Sequence, residues 1–178
     1  MNGAANGITA AVADRVMEAI AKAGLVEVEV SARHVHLSQK DWEAIFGTEK
    51  SDLTPKRPLS QPGQYLSEER VSLITPKGRM DRVAVLGPFR GQTQVELSKS
   101  DCIALGIDAP IRESGHIDGS GRITIEGPRG AVTIPQGVII AKRHVHVPET
   151  TARPLGFKNG EIVSVQLSIL GNALFGLH

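Results

Sequence analysis

Two histidine pairs are the part of this chain best suited to chemistry. His34 and His36 stand in the run Arg-His-Val-His, and the same run returns with His144 and His146. Each copy follows an apolar stretch that predicts a β-strand, and side chains two residues apart on a strand project from the same face. Each pair therefore points two imidazoles in one direction, which is half of a metal site. The two pairs predict two metal ions or one shared centre.

The recurrence of the pair favours a metal role over a structural one. A single histidine is most often a hydrogen-bonded polar residue or a surface group. Here the two pairs hold four of the 6 histidines of the chain, which favours metal binding. Imidazole ligands suit zinc best among common metals, with iron, cobalt, nickel and copper as alternatives, and a carboxylate or water would complete each ligand set.

The elements that must position these histidines also recur. After the first pair, Ser38, Asp41 and Gly47 predict a short helix with a capping box at its start and a glycine at its end. After the second pair, Pro148 and Gly156 bound another short helix. Two modules with the order strand, histidine pair, helix and glycine predict an active site between them.

Two further segments contain candidate groups. Arg90 follows a Gly-Pro turn and could hold an oxyanion or phosphate, while Glu96 lies in an alternating strand and could be a metal ligand or base. By themselves, such residues near a turn are more often solvated. The proline-rich segment 53–64 predicts an ordered loop, in which Lys56 and Arg57 form a candidate lid over an anion.

Composition limits the fold and the function class. The chain has 178 residues, 40% of them hydrophobic and 3% aromatic, with 19 glycines and 10 prolines, which favours many short strands and tight turns. A net charge of +1 and so few aromatic residues argue against nucleic-acid binding. No apolar run approaches the roughly 20 residues that span a bilayer. The single cysteine, Cys102, excludes an internal disulfide and is expected to be a small core residue of a helix over 98–106.

The strands are predicted from alternating apolar runs, and the N-terminus from a helical period. Candidate strands are 26–32, 71–75, 82–86, 93–97, 122–126, 131–134, 138–141 and 162–167. Residues 1–24 predict an amphipathic helix whose apolar stripe is Ile8, Val12, Val16 and Ile20. This helix either packs on the rest of the protein or docks its stripe in a partner's groove.

Taken together, several segments resemble one protein family. Residues 31–38, 53–64, 87–96, 112–115 and 141–146, in that order between about 26 and 167, are similar to the PduL-type phosphate acyltransferases, or phosphate propanoyltransferases. The resemblance implies transfer of a short acyl group between coenzyme A and inorganic phosphate, giving an acyl phosphate with the assistance of a metal. It also implies a mainly β fold of two small interleaved β-barrels with short capping helices, beside the N-terminal amphipathic helix.

The same resemblance implies domain bounds and partners. The domains are the helix or targeting peptide at 1–24, a first barrel from 25–33 with 118–178, and a second barrel from 34–117. Many family members are carried into bacterial microcompartments by such an N-terminal peptide. We therefore expect shell or core proteins as partners, a homo-oligomer, and a location in a microcompartment or the cytoplasm, with no nucleic acid or membrane partner.

Individual residues take roles from the resemblance. Two zinc ions are implied, with ligands His34, His36 and Glu96 for the first and His144 and His146 for the second. Arg90 matches the phosphate-binding arginine and is the implied catalytic residue. Contacts to coenzyme A are implied at Ser31, Ala32 and Lys77.

Two departures from the family pattern keep other functions open. Ala84 stands where the family has an arginine, and Arg82 is a candidate substitute. Residues 168–178 do not match the family's segment that supplies a third histidine to the second metal, and His178 is a candidate for that ligand. One alternative is a metal-dependent hydrolase that uses a zinc-bound water, and it would lack coenzyme A dependence. Another is an inactive, truncated binding or assembly module, which metal content and turnover would identify.

Overall fold

The chain divides into two compact units. A computed structural model describes residues 33–49 and 51–164, together with Arg15 and Ala19. The smaller unit takes in Met1–Val28 and His146–His178, and the larger unit is Glu29–Val145. In the described part, the larger unit contains every strand, and the smaller unit contains one regular helix of seven residues.

The described helices have only seven or eight residues, whereas three of the described strands, with 9, 10 and 11 residues, are longer than the many glycines and prolines predict. The described strands are β1 (His34–His36), β2 (Pro55–Pro58), β3 (Tyr65–Ile74), β4 (Arg79–Gly87), β5 (Gln94–Glu96), β6 (Ile111–Arg112), β7 (Gly121–Glu126) and β8 (Ala131–Ala141). The described helices are α1 (Gln39–Phe46), α2 (Lys99–Leu105) and α3 (Glu149–Leu155).

Six of these strands close into a barrel. The ring runs β3-β4-β1-β5-β8-β7 and closes where β7 pairs with β3, while β2 pairs with β3 and β6 pairs with β8. β1 lies between a parallel neighbour, β4, and an antiparallel one, β5. Alternate residues point inward and are 0% exposed, including Val35, Val85, Val95 and Ile125. A core of branched aliphatic residues is what the scarcity of aromatic residues predicts.

Most predicted strands are present, but residues 162–164 of the strand predicted at 162–167 are not in a strand. Two other predictions differ in a physically clear way. Residues 131–134 and 138–141 form one strand, β8, which continues through Pro135 and Gly137. Gly137 has a φ of 137°, and a Cβ there would lie 2.7 Å from the Thr93 carbonyl oxygen, so the close approach to β5 requires glycine. The loop prediction for residues 53–64 is wrong at β2, an edge strand, where proline is tolerated because one side needs no hydrogen bonds.

The helix caps follow the prediction except at one side chain. Ser38 caps α1 by accepting from the Asp41 N–H, but the Asp41 carboxylate accepts from Thr93 Oγ1 and so does not complete a capping box. Thr93 Oγ1 also accepts from the Ser38 N–H at 2.9 Å, which ties the start of α1 to the residue before β5. In α2, by contrast, Ser98 and Asp101 form the full box, and Cys102 is buried in the core as predicted.

The mainly β class with short helices is confirmed, while the domain bounds stay a prediction. The barrel includes β7 and β8, which lie C-terminal to the proposed boundary at residue 117. The predicted strand at 26–32 and the predicted N-terminal helix fall on residues outside the described ones, except Arg15 and Ala19. No helix in the described ranges is long and apolar enough to cross a membrane.

Candidate active site

The first histidine pair and Glu96 meet on two neighbouring strands. β1 carries His34 and His36, and the antiparallel register sets His34 opposite Glu96 on β5. Their exposed fractions are only 8%, 2% and 8%, respectively. One ligand atom from each residue can be chosen so that all three lie within 4.8 Å of one another. Two imidazoles and a carboxylate at this spacing are a donor set that fits zinc.

The two rings point the same way, as their spacing predicts. The His34 and His36 ring centroids are 5.0 Å apart at an interplanar angle of 88°, and His34 Nε2 lies 3.5 Å from Glu96 Oε2. Val35, between the histidines, faces the barrel core and is 0% exposed. The packing of that valine therefore fixes the direction of both imidazoles.

The protonation states also suit a metal site. Burial, with further contributions from the charges of Arg90 and His34, lowers the pKa of His36 to about 3. Burial by itself raises the pKa of Glu96. The hydrogen bond and the charge interaction with His34, together with the hydrogen bond from the Ser114 hydroxyl, outweigh the effect of burial and lower the pKa of Glu96 to about 2. At neutral pH the His36 ring is thus neutral and the Glu96 carboxylate ionised, which are the forms that bind metals.

Two polar side chains hold the Glu96 carboxylate, those of Gln94 and Ser114, and neither was predicted from the sequence as a site residue. Glu96 Oε1 accepts hydrogen bonds from Gln94 Nε2 at 2.7 Å and from Ser114 Oγ at 2.8 Å. Gln94 Oε1 in turn accepts from the Gly115 N–H at 2.7 Å. Gln94 carries a usable signal, because it lies two residues before Glu96 and so on the same strand face. Ser114 comes from the connection after β6 and gives no such signal.

Arg90 lies beside the hydrogen-bonded group of Gln94, Glu96 and Ser114. Its Nη1 donates to Ser114 Oγ at 2.8 Å, and its backbone N–H donates to the Leu37 carbonyl oxygen at 2.9 Å. A pocket of about 300 Å³ is lined by His36 and Arg90, by the turn after β2 and by the end of β4, namely at Pro62, Gly63, Gln64, Gly87 and Pro88. The structure therefore brings the predicted anion-binding arginine to the same pocket as one predicted metal ligand.

The proline-rich segment contributes to the pocket differently from the sequence prediction. Residues 62–64 line it, whereas Lys56 lies on β2 and pairs with Glu68 at 3.1 Å between Nζ and Oε2. Arg57 is likewise exposed on this edge strand. Neither side chain is among those that line the pocket, so the turn after β2 takes the place of the predicted basic lid.

The remaining predicted site residues are the second histidine pair and the coenzyme A contacts. The strand before the second pair, β8, ends at Ala141, so His144 and His146 do not lie on a strand, contrary to the prediction. Both are exposed; His144 Nδ1 lies 2.7 Å from the Lys142 carbonyl oxygen, and His146 belongs to the smaller unit. Within the described residues, the one cluster of three potential metal ligands is that of His34, His36 and Glu96, so a metal at the second pair stays a prediction. Lys77 is exposed in the β3–β4 turn, and the predicted coenzyme A contacts Ser31 and Ala32 lie outside the described residues.

Sequence comparison points to one family. A family model described as phosphate propanoyltransferase matches residues 27–175. The phosphate propanoyltransferase of Rhodopseudomonas palustris is 48% identical over 141 residues, which are 79% of this chain and 62% of that protein. The phosphate propanoyltransferase of Thermotoga maritima is 49% identical over 138 residues, which are 78% of this chain and 65% of that protein. The phosphate propanoyltransferase of Listeria monocytogenes is 43% identical over 161 residues, which are 90% of this chain and 75% of that protein. The chain spans slightly less than two thirds of the length of the first two relatives.

Proposed function

Because this chain belongs to the phosphate propanoyltransferase family, we propose that it transfers a short acyl group between coenzyme A and inorganic phosphate with the assistance of a metal. The observation that carries the proposal is the pocket shared by His36 and Arg90. It combines a buried metal-ligand group with an arginine able to bind phosphate. Acyl-CoA and phosphate are therefore the proposed substrates, and an acyl phosphate and free coenzyme A the products.

The chemistry needs no nucleophile from the protein. A phosphate oxygen attacks the thioester carbonyl carbon, a carbon–oxygen bond forms, the carbon–sulfur bond breaks, and coenzyme A leaves as the thiolate. Arg90 would hold the attacking phosphate, since the bond from Nη1 to Ser114 leaves Nε and Nη2 for the anion. A zinc ion held by His34, His36 and Glu96 would supply Lewis-acid stabilisation of the negative charge that develops. Cys102 is unsuited to attack, because it is buried and burial raises the pKa of its thiol.

The other residue assignments belong to the same proposal. We propose a second zinc ion at His144 and His146, on the ground that the sequence repeats the Arg-His-Val-His run there. We assign contacts to coenzyme A to Ser31, Ala32 and Lys77; of these, Lys77 offers an exposed ammonium group to the phosphates of that molecule.

The proposed setting follows from the amphipathic stripe in residues 1–24. We propose that this segment docks on shell or core proteins of a bacterial microcompartment, that the protein works there or in the cytoplasm, and that it forms a homo-oligomer. The support is the four-residue spacing of the apolar stripe, which needs a surface to bury it.

A thiol-release assay tests the activity. Zinc-loaded protein is given propanoyl-CoA or acetyl-CoA, with and without phosphate, and compared with His34→Ala and with His116→Ala, which changes an exposed histidine outside the ligand cluster. We expect thiol release that requires phosphate, is lost in H34A and is retained in H116A. Release that is independent of phosphate would identify a hydrolase instead. No release from a metal-loaded, folded protein would favour the binding or assembly module.

A further inference from the structure

Ser114 is where the anion-binding arginine and the metal-ligand carboxylate meet. Its Oγ lies 2.8 Å from Arg90 Nη1, 2.9 Å from Gln94 Nε2 and 2.8 Å from Glu96 Oε1. A hydroxyl group has one proton to donate and two lone pairs to accept with, so three partners use its full capacity. Arg90 and Glu96 are thereby joined through a single atom.

The direction of each hydrogen bond follows from the chemistry of the partners. The Arg90 guanidinium can only donate, so Ser114 must accept from it. The amide of Gln94 is oriented by its Oε1, which accepts from the Gly115 N–H, so Nε2 faces Ser114 and also donates. The hydroxyl proton of Ser114 is left with one acceptor, Glu96 Oε1.

This arrangement gives the two carboxylate oxygens different tasks. Glu96 Oε1 already accepts from both Gln94 and Ser114. Oε2 is the oxygen that lies 3.5 Å from His34 Nε2, on the side of the histidine pair. The network therefore turns a single oxygen of Glu96 toward the ligand cluster and anchors one end of the Arg90 guanidinium at the same time.

We propose that Ser114 is a positioning residue that couples phosphate binding at Arg90 to metal binding at His34, His36 and Glu96, so that each ligand raises the affinity for the other. The inference rests on the proposed function, because it assumes a metal at the cluster and phosphate at Arg90. Its physical basis is that whichever ligand binds first restrains the Ser114 hydroxyl, and through it the side chain that the second ligand must order.

The test measures this coupling by binding, without turnover. Zinc is titrated with and without saturating inorganic phosphate, the free zinc being buffered by a competing chelator, for the wild type, Ser114→Ala and Ser114→Thr. The matched control is Ser72→Ala, because Ser72 Oγ also joins an arginine to a carboxylate. It accepts a hydrogen bond from Arg79 Nη2 at 3.0 Å and donates one to Asp81 Oδ1 at 2.6 Å. Ser72 takes no part in the cluster of His34, His36 and Glu96. Because Ser114 is exposed, we expect S114A to fold.

We expect phosphate to raise the zinc affinity of the wild type by about fivefold or more, which is the low end of typical coupling between sites. S114A should lose most of this increase, S114T should keep it because the hydroxyl remains, and S72A should match the wild type. In steady-state kinetics, S114A should raise KM for phosphate more than KM for propanoyl-CoA.

Each other outcome has a distinct meaning. If folded S114A shows the wild-type increase, Ser114 has no coupling role and the proposed function stands. If the wild type binds no zinc, the metal-assisted function fails and the coupling with it. If circular dichroism shows that S114A does not fold, Ser114→Gly takes its place in the same titration, since glycine also lacks the hydroxyl and leaves room for a water molecule to hydrogen-bond to Arg90 and Glu96.

Discussion

His34 and Glu96 are register partners across β1 and β5, and His34 Nε2 lies 3.5 Å from Glu96 Oε2. The two residues are far apart in the sequence, and only the antiparallel pairing of two three-residue strands brings them together. Both are 8% exposed, so removal of either leaves the other as a buried polar group with a lost partner. This relationship makes the candidate metal site sensitive to single substitutions on either strand.

Metal content is the first prediction. Purified protein should contain zinc or a similar transition metal, and His34→Ala should remove the ion bound at His34, His36 and Glu96 because two of three ligands cannot retain it as tightly. His144→Ala should lower the metal content separately, because the proposed second ion loses a ligand. Elemental analysis of each variant measures both effects.

The control for metal content is His116→Ala, an exposed histidine outside the ligand cluster. It should leave the stoichiometry unchanged. Metal content that neither H34A nor H144A reduces would show that the histidine pairs are structural.

Phosphate recognition is the second prediction. Arg90→Lys keeps the positive charge but loses the planar fork, and a charge-assisted hydrogen bond contributes about 1.5–3 kcal/mol. We expect KM for phosphate to rise roughly ten- to a hundredfold, at 1.4 kcal/mol per factor of ten, with a smaller change in KM for propanoyl-CoA. Initial rates at varied concentrations of each substrate give both constants.

Arg129→Lys provides the matched control, because Arg129 is exposed and pairs with Glu49. Its kinetics should equal those of the wild type. Equal increases in both KM values for R90K would mean that Arg90 supports the fold and has no direct part in phosphate binding.

The contribution of Thr93 to the stability of α1 is the third prediction. Thr93 is 4% exposed, and its Oγ1 accepts from the Ser38 N–H and donates to the Asp41 carboxylate. Thr93→Val keeps the shape but leaves both groups at the start of α1 without this partner, at a cost of about 1–3 kcal/mol in the free energy of unfolding. Urea denaturation monitored by the fluorescence of the single tryptophan, Trp42 in α1, measures the loss.

Thr124→Val is the comparison for this variant, since Thr124 pairs with Thr133 across two strands in an exposed position. It should change the free energy of unfolding by less than about 0.5 kcal/mol. Equal losses in the two variants would show that the Thr93 contacts contribute nothing particular to stability.

The N-terminal segment is the fourth prediction. Deletion of residues 1–24 should leave metal content and specific activity largely intact, because every proposed site residue is C-terminal to it. The deletion should reduce self-association or loading into a compartment, since the apolar stripe is removed. Size-exclusion chromatography with light scattering measures the first of these effects.

Two outcomes would contradict that role. A deletion variant that does not fold would place the helix in the core of the protein. A variant that folds and associates like the full chain would show that the helix serves neither association nor docking.

Local patterns in the sequence predicted the elements because the forces that define them are local. Ser38 begins α1 and Gly47 ends it as predicted, since caps act within one turn. The spacing of His34 and His36 gave their common direction, because strand periodicity depends only on the backbone. The aliphatic core likewise follows from composition.

What the tertiary structure decided are the contacts between residues distant in the chain. It closed six strands into one barrel, joined residues 131–141 into a single strand, and paired His34 with Glu96. It also brought Ser114 from a connecting segment to Arg90. Strand pairing and side-chain networks of this kind depend on register and on packing across the whole barrel, and one sequence does not encode either in any local pattern.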